Sequence, residues 1–385
     1  MAFRDITKVL YSGKIKLDYK DKAHRYYVRT RVDFDLPEDD PKAWSKIIYP
    51  KGTTTLLGDT LEKKGLMTWP LGLAIRELFG FYDFKTDDGK QMTGFSKGVG
   101  TLWDNGITKT LDKDNLLPIV KSANTAWQRK QKQGADIGSA VHDAIEHYVL
   151  AHTNNPSLKD IPSLFDIKGQ YLWGIKESFP DSNSEEFTKA MDALDEEVEM
   201  AEKAFEQFVL WWDTTKPVLY GAEDLLYSEV HNVCGTYDGD LGIRREHHPM
   251  YEAAGESDTE NSEIEWNPIF GVIATKEIIR VTADWKTSKA SSSKDAASPE
   301  GVYYSYFIQL AIYELMRREM GFPHADDLLT VSARKDGGFS LIYASELGLT
   351  VQDCIDWAIA VITCYRFMDK TKKGLLAHAE PKEAK

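Results

Sequence analysis

The chain has 385 residues, 42% of them hydrophobic and 28% charged, a composition of soluble globular proteins that excludes a disordered or collagenous chain. At roughly 150 residues per domain the length predicts two domains or one large elaborated one. The formal net charge of −14, taken whole, argues against a nucleic-acid partner.

The longest apolar run, Trp357 to Ile362, is far short of the ~20 residues of a membrane span. The start, Met1-Ala-Phe-Arg-Asp, has no signal-peptide pattern, so a cytoplasmic protein without membrane contact is expected. The three cysteines, Cys234, Cys354 and Cys364, form no C-x-x-C pair, which argues against a disulfide framework or zinc ribbon and rules out a four-cysteine iron–sulfur cluster within one chain. No G-x-x-x-x-G-K-[ST] is present, so no P-loop motor and no ATP are expected.

In chain order, the first 50 residues read as irregular β structure: Ala23 to Val32 alternates weakly, and Pro37, Pro41 and Pro50 punctuate the stretch after it. Leu61 to Phe81 favours a helix or two broken at Pro70, and Asn115 to Leu150 two more, separated near Gly134. Asn154 to Phe179 reads as loop. An acidic amphipathic helix with Ala193, Leu194, Val198, Ala201, Phe205 and Phe208 on one side ends near Trp212, before Lys216-Pro217. Strands come next at Val218–Val230, Cys234–Ile243 and Ile269–Lys286. Then come a helix from Tyr303 to Met320, strands at Leu328–Ala333 and Phe339–Tyr343, and a helix from Val351 to Met368 with Thr350 and Asp353 as its capping box. This order predicts an α/β or α+β fold, a mixed central sheet flanked by helices.

The charge is local. Glu185–Glu206 carries nine acids against two lysines, and Tyr251–Trp266 six acids and no base; together they hold 13 of the 14 net negative charges. The basic clusters, Lys121 with Arg129, Lys130 and Lys132, and Arg317 with Arg318, read as solvated helix faces.

Four features carry chemistry. On the strand ending at Lys286, period two places Asp284 and Lys286 on one face, with Ile279, Val281 and Ala283 on the other. In Gly235-Thr-Tyr-Asp-Gly-Asp the same period puts Asp238 and Asp240 on one face, Tyr237, Leu241 and Ile243 opposite. Carboxylates from two adjacent strands can share a hard cation such as Mg²⁺, and a neighbouring lysine can orient or help deprotonate an attacking water, or stabilise charge on a pentavalent phosphate. His142 and Glu146 lie one helical turn apart, off the apolar stripe of Ile137, Val141, Ile145 and Val149, and Gln309 and Tyr313 share one face of a later helix. Each feature alone is ordinary; their ordered conjunction on these element types is not.

That conjunction resembles the PD-(D/E)XK nuclease superfamily, and within it the RecB-like and phage exonucleases. The resemblance spans Thr53 to Phe339 and rests on Gly138-Ser-Ala-Val-His142, Gly235-Thr-Tyr-Asp238, Asp284-Trp-Lys286-Thr-Ser and Gln309-x-x-x-Tyr313. Weaker likenesses are His24-Arg-Tyr-Tyr-Val, Thr53-Thr-Thr-Leu-Leu and Gly65-Leu-x-x-Trp69. It implies a restriction-endonuclease-like core with a large helical N-terminal part: residues 1–133 contribute to a DNA passage, and 134–385 form the nuclease core, with a helical insertion at 155–215 and an acidic loop at 244–268. It implies that His142, Asp238 and Asp284, with the Trp285 carbonyl, bind Mg²⁺ (or Mn²⁺), that Lys286 is catalytic, and that Gln309 and Tyr313 contact DNA or support the site. Glu229 matches an acid common in these proteins. Unlike iron–sulfur relatives the chain lacks the four cysteines, and about forty residues, Ile243 to Asp284, are inserted between two motifs.

The expected activity is metal-dependent DNA exonuclease, phage-encoded and active in host cytoplasm in recombination, repair or processing, on DNA with a free end and with a single-strand annealing or recombination protein as partner. The alternatives are an endonuclease of the same superfamily, a non-enzymatic acidic DNA mimic, or a DNA-binding subunit. With the acidity confined to two segments, DNA binding is expected to be weak, salt-sensitive and dependent on the metal and a few local bases.

Overall fold

A computed structural model describes residues 5–20, 23, 25–61, 83–85, 91–93, 138, 140–152, 167–178, 181–192, 194–249, 276–288, 304–334 and 338–379. The expected helices between Leu61 and Phe81, the basic cluster at Lys121–Lys132 and the acidic segment Tyr251–Trp266 lie outside these residues. The chain divides into two units, Met1–Leu61 with Ile137–Lys385, and Glu62–Asp136.

The first unit opens with an antiparallel meander, β1 (Ile6–Leu10), β2 (Ile15–Lys20) and β3 (Arg25–Thr30). Leu10, Ile15, Leu17 and Val28 bury its inner face against Leu225, Tyr227 and Cys234 further along the chain. After the two-residue β4 (Lys51–Gly52), helix α1 (Thr53–Thr60) begins at Thr53, whose hydroxyl donates to the Cys234 carbonyl at 3.0 Å. In the second unit, β5 (Asp83–Lys85) pairs antiparallel with β6 (Gln91–Thr93).

Returning to the first unit, α2 (residues 140–151) is followed by α3 (Ile167–Ser178), α4 (Glu185–Asp192) and α5 (Leu194–Thr215). α3 occupies a stretch read as loop: Gly169 and Gly174 weaken its helical signal, and its packing through Leu172 and Ile175 overrides them. The acidic segment forms two helices, the first capped where the Phe187 N–H donates to the Ser184 hydroxyl at 3.1 Å. Leu194, Val198, Ala201 and Phe208 are buried at helical spacing, as the periodicity predicts.

The central sheet contains β7 (Val218–Ser228), β8 (Val233–Arg244), β9 (Ile278–Ser288), β10 (Asp327–Arg334) and β11 (Phe339–Tyr343), with α6 (Tyr304–Glu319) joining β9 to β10 and α7 (Val351–Ala379) closing the fold. The strand order is β11-β10-β9-β8-β4, with β7 also paired to β8. β9 and β10 run parallel; β7–β8, β8–β9 and β10–β11 are antiparallel, so the sheet is mixed. The inserted residues after Ile243 do not part β8 from β9. α2 and α5 cover one face through Val141, Ile145, Val149, Phe208 and Trp211 against Leu241, Ile243, Val281 and Trp285. α1, α6 and α7 cover the other through Leu56, Phe307, Leu310 and Ile355 against Leu226 and Tyr237. The Thr350 and Asp353 box caps α7 reciprocally, the Asp353 N–H donating to the Thr350 hydroxyl at 3.0 Å and the Thr350 N–H to the Asp353 carboxylate at 2.8 Å.

Two expectations need correction. Asp240 does not join Asp238 at a shared site: its carboxylate accepts from Arg317 Nη2 at 2.5 Å and from Arg280 Nε at 2.9 Å. Tyr237, expected opposite Asp240, belongs to the α6 side, where the Arg317 guanidinium lies 5.3 Å from its ring centroid. Simple alternation therefore breaks between Tyr237 and Leu241. Nor is Arg317 on a solvated helix face; it is fully buried, bonded also to Thr282 and to Glu314 at 3.3 Å, while Arg318 pairs with Glu314 at 2.9 Å.

Removing one partner from such a network strands the remaining buried charges. Arg317→Ala is expected to cost roughly 3–5 kcal/mol, measured as a lower urea midpoint at unchanged m-value; a midpoint equal to wild type would contradict this account.

Candidate metal and hydrolase site

The site forms where the sheet opens. β8 and β9 pair as far as Gly239 and Ala283, and the strands part beyond that point. Asp238, Asp284 and the backbone of Trp285 stand at the fork. The Trp285 N–H donates to Asp238 Oδ2 at 2.6 Å, so a carboxylate fixes the chain where ladder partners end. Both aspartates are buried.

Four elements converge on this fork. His142, one turn into α2 and half-buried, places Nε2 3.3 Å from Asp238 Oδ1 and 3.7 Å from Glu223 Oε1. Lys286 on β9 pairs with Asp284 Oδ2 at 2.5 Å, and its ammonium lies 5.3 Å from the ring centre of Tyr306 in the first turn of α6. Gln309 and Tyr313 on α6 meet through a 2.7 Å hydrogen bond from Gln309 Nε2 to the Tyr313 hydroxyl, and the same nitrogen reaches Asp284 Oδ1 at 3.4 Å. α6 thus holds one side of Asp284 while Lys286 holds the other.

Glycine permits the close approach. A Cβ on Gly235 would stand 2.6 Å from the Tyr313 ring, and one on Gly239 2.8 Å from the Trp285 ring. Both glycines lie within the Gly-Thr-Tyr-Asp-Gly run, where backbone must lie flat against an aromatic ring.

The structure brings together His142, Asp238, Asp284, Trp285, Lys286, Gln309 and Tyr313. It does not bring Glu229 to them: that residue sits in the turn after β7 and pairs with Lys14 at 2.9 Å. The acid in the cleft is Glu223. Its φ of 52° is left-handed, unusual for a residue with a side chain and costing of order 1–3 kcal/mol. The strand also carries a register shift between Leu219 and Gly221, and Glu223 Oε1 lies 3.7 Å from His142 Nε2. Hairpin register was the available signal: Ser228 pairs with Val233, and five residues back from that pair on each strand lie Glu223 and Asp238.

Electrostatically the site is tense. Desolvation raises Glu223 well above the usual carboxylate range, His142 offsetting this only in part. It raises Asp284 to about 7 against the pull of Lys286. For Asp238 desolvation acts the same way, but His142 and Lys286 overcome it and hold the group low. The imidazole of His142 is disfavoured as a cation by desolvation, yet Asp238 and Glu223 lift it to about 10; Lys286, likewise desolvated, is raised by Asp284 and Asp238. The cleft thus packs three acids against two bases away from water.

One ligand atom from each of His142, Glu223 and Asp238 lies within 4.8 Å of the others. Glu223 Oε1 is buried and makes no hydrogen bond. An imidazole, a carboxylate with a spare buried oxygen, and a second carboxylate make a donor set suited to a hard or borderline divalent cation. Compared with models of known families and with curated proteins, the sequence matches none. Among the described residues, no helix is long and apolar enough to cross a membrane.

Adding a methyl at Gly235 forces the Tyr313 ring away from its pocket. Gly235→Ala is expected to lower stability by about 1–3 kcal/mol, read as a depressed melting temperature, whereas Gly58→Ala, where the new Cβ has no neighbour within 4 Å, is expected to be neutral or stabilising.

Proposed function

We propose that this chain is a metal-dependent DNA exonuclease of the PD-(D/E)XK, RecB-like kind, hydrolysing phosphodiester bonds from a free end. The observation that carries the reading is the convergence of His142, Glu223, Asp238, Asp284 and Lys286 on the fork between two strands, with Glu223 Oε1 left buried and unbonded.

His142, Glu223, Asp238 and Asp284 would hold Mg²⁺, the Trp285 carbonyl contributing as the family resemblance implies. When bound, the cation supplies Lewis acidity toward a phosphoryl oxygen and a lowered pKa for water. The chain's own residues do the rest. Lys286, held by Asp284 and kept protonated by two acids, offers positive charge to the phosphate as charge builds on its equatorial oxygens. Gln309 and Tyr313 fix the orientation of Asp284 from the helix side, so its carboxylate spends no freedom in the reaction. The Trp285 N–H does the same for Asp238. The aromatic wall of Phe208, Trp211 and Trp285 backs the fork and limits water on that side.

Digestion of end-labelled linear DNA tests the reading. Wild type is expected to degrade it with Mg²⁺ and not with EDTA, to leave circular single strands intact, and to lose at least ~10²-fold in rate on Asp284→Ala or Lys286→Ala. Wild-type rates in both variants would sink the assignment, and cleavage of circles would move it to the endonuclease class. Glu223 has its own test. Glu223→Gln keeps size and removes one ligand charge, and is expected to weaken Mn²⁺ binding by at least ~10-fold in a calorimetric titration, whereas Glu229→Gln leaves it unchanged.

A further inference from the structure

Glu223 has a φ of 52°, and a left-handed residue that carries a side chain persists only where its surroundings over-determine it. In the ladder between β7 and β8, Ala222 pairs with Gly239 and Asp224 with Tyr237, and Glu223 and Asp238 stand between those pairs. What restrains Glu223 is found at the next residue along the strand.

Both carboxylate oxygens of Asp224 are engaged: Oδ1 accepts from Lys8 Nζ at 2.5 Å, and Oδ2 from the Tyr237 hydroxyl at 3.1 Å. The donors come from different elements, Lys8 from β1 in the N-terminal meander and Tyr237 from β8, one residue before Asp238. Tyr237 is itself buried in the core on the α6 side, with the Arg317 guanidinium 5.3 Å from its ring centroid. Gly221 leaves the space for this contact: a Cβ there would stand 2.6 Å from the Tyr237 hydroxyl oxygen and 3.3 Å from Asp224 Oδ2. Asp224 cannot swing away without losing a donor, so the peptide it shares with Glu223 is held with it.

Stability alone does not account for the ion pair. The side chains of Lys8 and Asp224 are 32% and 36% exposed, and a pair so wetted adds little to folding. Its place in the chain does account for it, one residue from the carboxylate whose unbonded Oε1 lies 3.7 Å from His142 Nε2. We propose that Lys8, Asp224 and Tyr237 form a clamp that holds Glu223 in its strained, cleft-facing conformation. Asp224 is then a positioning residue for the cation, and β1 contributes to the site through Lys8. The inference rests on the reading of Glu223 as a cation ligand and goes beyond it by bringing the N-terminal meander into the site.

Calorimetric titration of the full-length protein with Mn²⁺ tests the clamp without recourse to activity. Tyr237→Phe, which removes only the hydroxyl, and Lys8→Ala, which truncates a half-exposed side chain, are each expected to weaken Mn²⁺ binding roughly tenfold. Lys8→Arg is expected to keep wild-type affinity. In a Glu223→Gln background Lys8→Ala is expected to have no further effect, because the clamp acts through Glu223. Wild-type affinity in either Lys8→Ala or Tyr237→Phe, with Glu223→Gln weakened, would overturn the clamp and leave the site reading intact. A full further loss from Lys8→Ala on top of Glu223→Gln would do the same. Wild-type affinity in Glu223→Gln, or no Mn²⁺ binding by the wild-type protein, would instead overturn the site reading and the clamp with it. Circular dichroism of the metal-free variants verifies that lost affinity is not lost folding.

Discussion

Three carboxylates held together away from water are the constraint around which this fold is arranged. Glu223, Asp238 and Asp284 arrive from three strands, and in a desolvated cleft their repulsion would unfold or protonate the site if nothing opposed it. His142 from a helix on one face of the sheet and Lys286 from the strand itself supply the opposing charges. Backbone also takes part: the Trp285 N–H, left without a ladder partner where β8 and β9 diverge, is satisfied by Asp238. The fork and the carboxylate thus depend on each other. A fully paired ladder would leave no room for the acid, and a fork without the acid would leave a buried donor unsatisfied.

A second buried charge system, some way down the same strands, serves a different end. Asp240, two residues beyond Asp238, is shared by Arg280 and Arg317, and Glu314 by Arg317 and Arg318. Every acid here is matched by a guanidinium in hydrogen-bonding contact, whereas in the cleft Oε1 of Glu223 and Oδ2 of Asp284 accept no hydrogen bond, the latter meeting Lys286 as an ion pair at 2.5 Å. The contrast separates a network that ties α6 to β8 and β9 from a site with unspent coordinating capacity. Through α6 the two are mechanically joined: Arg317 fixes one end of the helix to the sheet, and Gln309 and Tyr313, further toward its N-terminus, bear on Asp284.

Much of this was legible in the sequence because it derives from periodicity. Asp284 and Lys286 share a face on a strand, Gln309 and Tyr313 share a face on a helix, and the apolar residues between them fill the two cores on either side of the sheet. The features that escaped arise from departures from period. The left-handed Glu223 and the register shift at Leu219–Gly221 interrupt the alternation of β7, so Glu223 faces His142 without a periodic signal to mark it, while Glu229, named from the family resemblance, lies in the turn beyond the strand. In β8 the same logic misplaced Asp240: glycines at Gly235 and Gly239 let the strand lie against Tyr313 and Trp285, and Tyr237 turns to the helix face where Arg317 stacks on it. Arg317 and Arg318 read as one basic patch because neighbouring letters carry no record of burial, although consecutive helical residues point about 100° apart.

The net charge illustrates the same separation of scales. A count of −14 averages over groups that do not share a dielectric. On α5 the acids Asp195, Glu199 and Glu202 are solvated, so each interacts weakly beyond a Debye length of about 8–10 Å. The three acids of the cleft add little to that total, yet their field acts through desolvated protein and raises both neighbouring cations, His142 and Lys286. The balance within the cleft is set by acids held at contact distance from His142 and Lys286. The acidity of the outer helices governs solubility and long-range repulsion, which salt screens. The charge balance of the cleft is therefore a local property, and the same −14 spread evenly over the surface would describe a different protein.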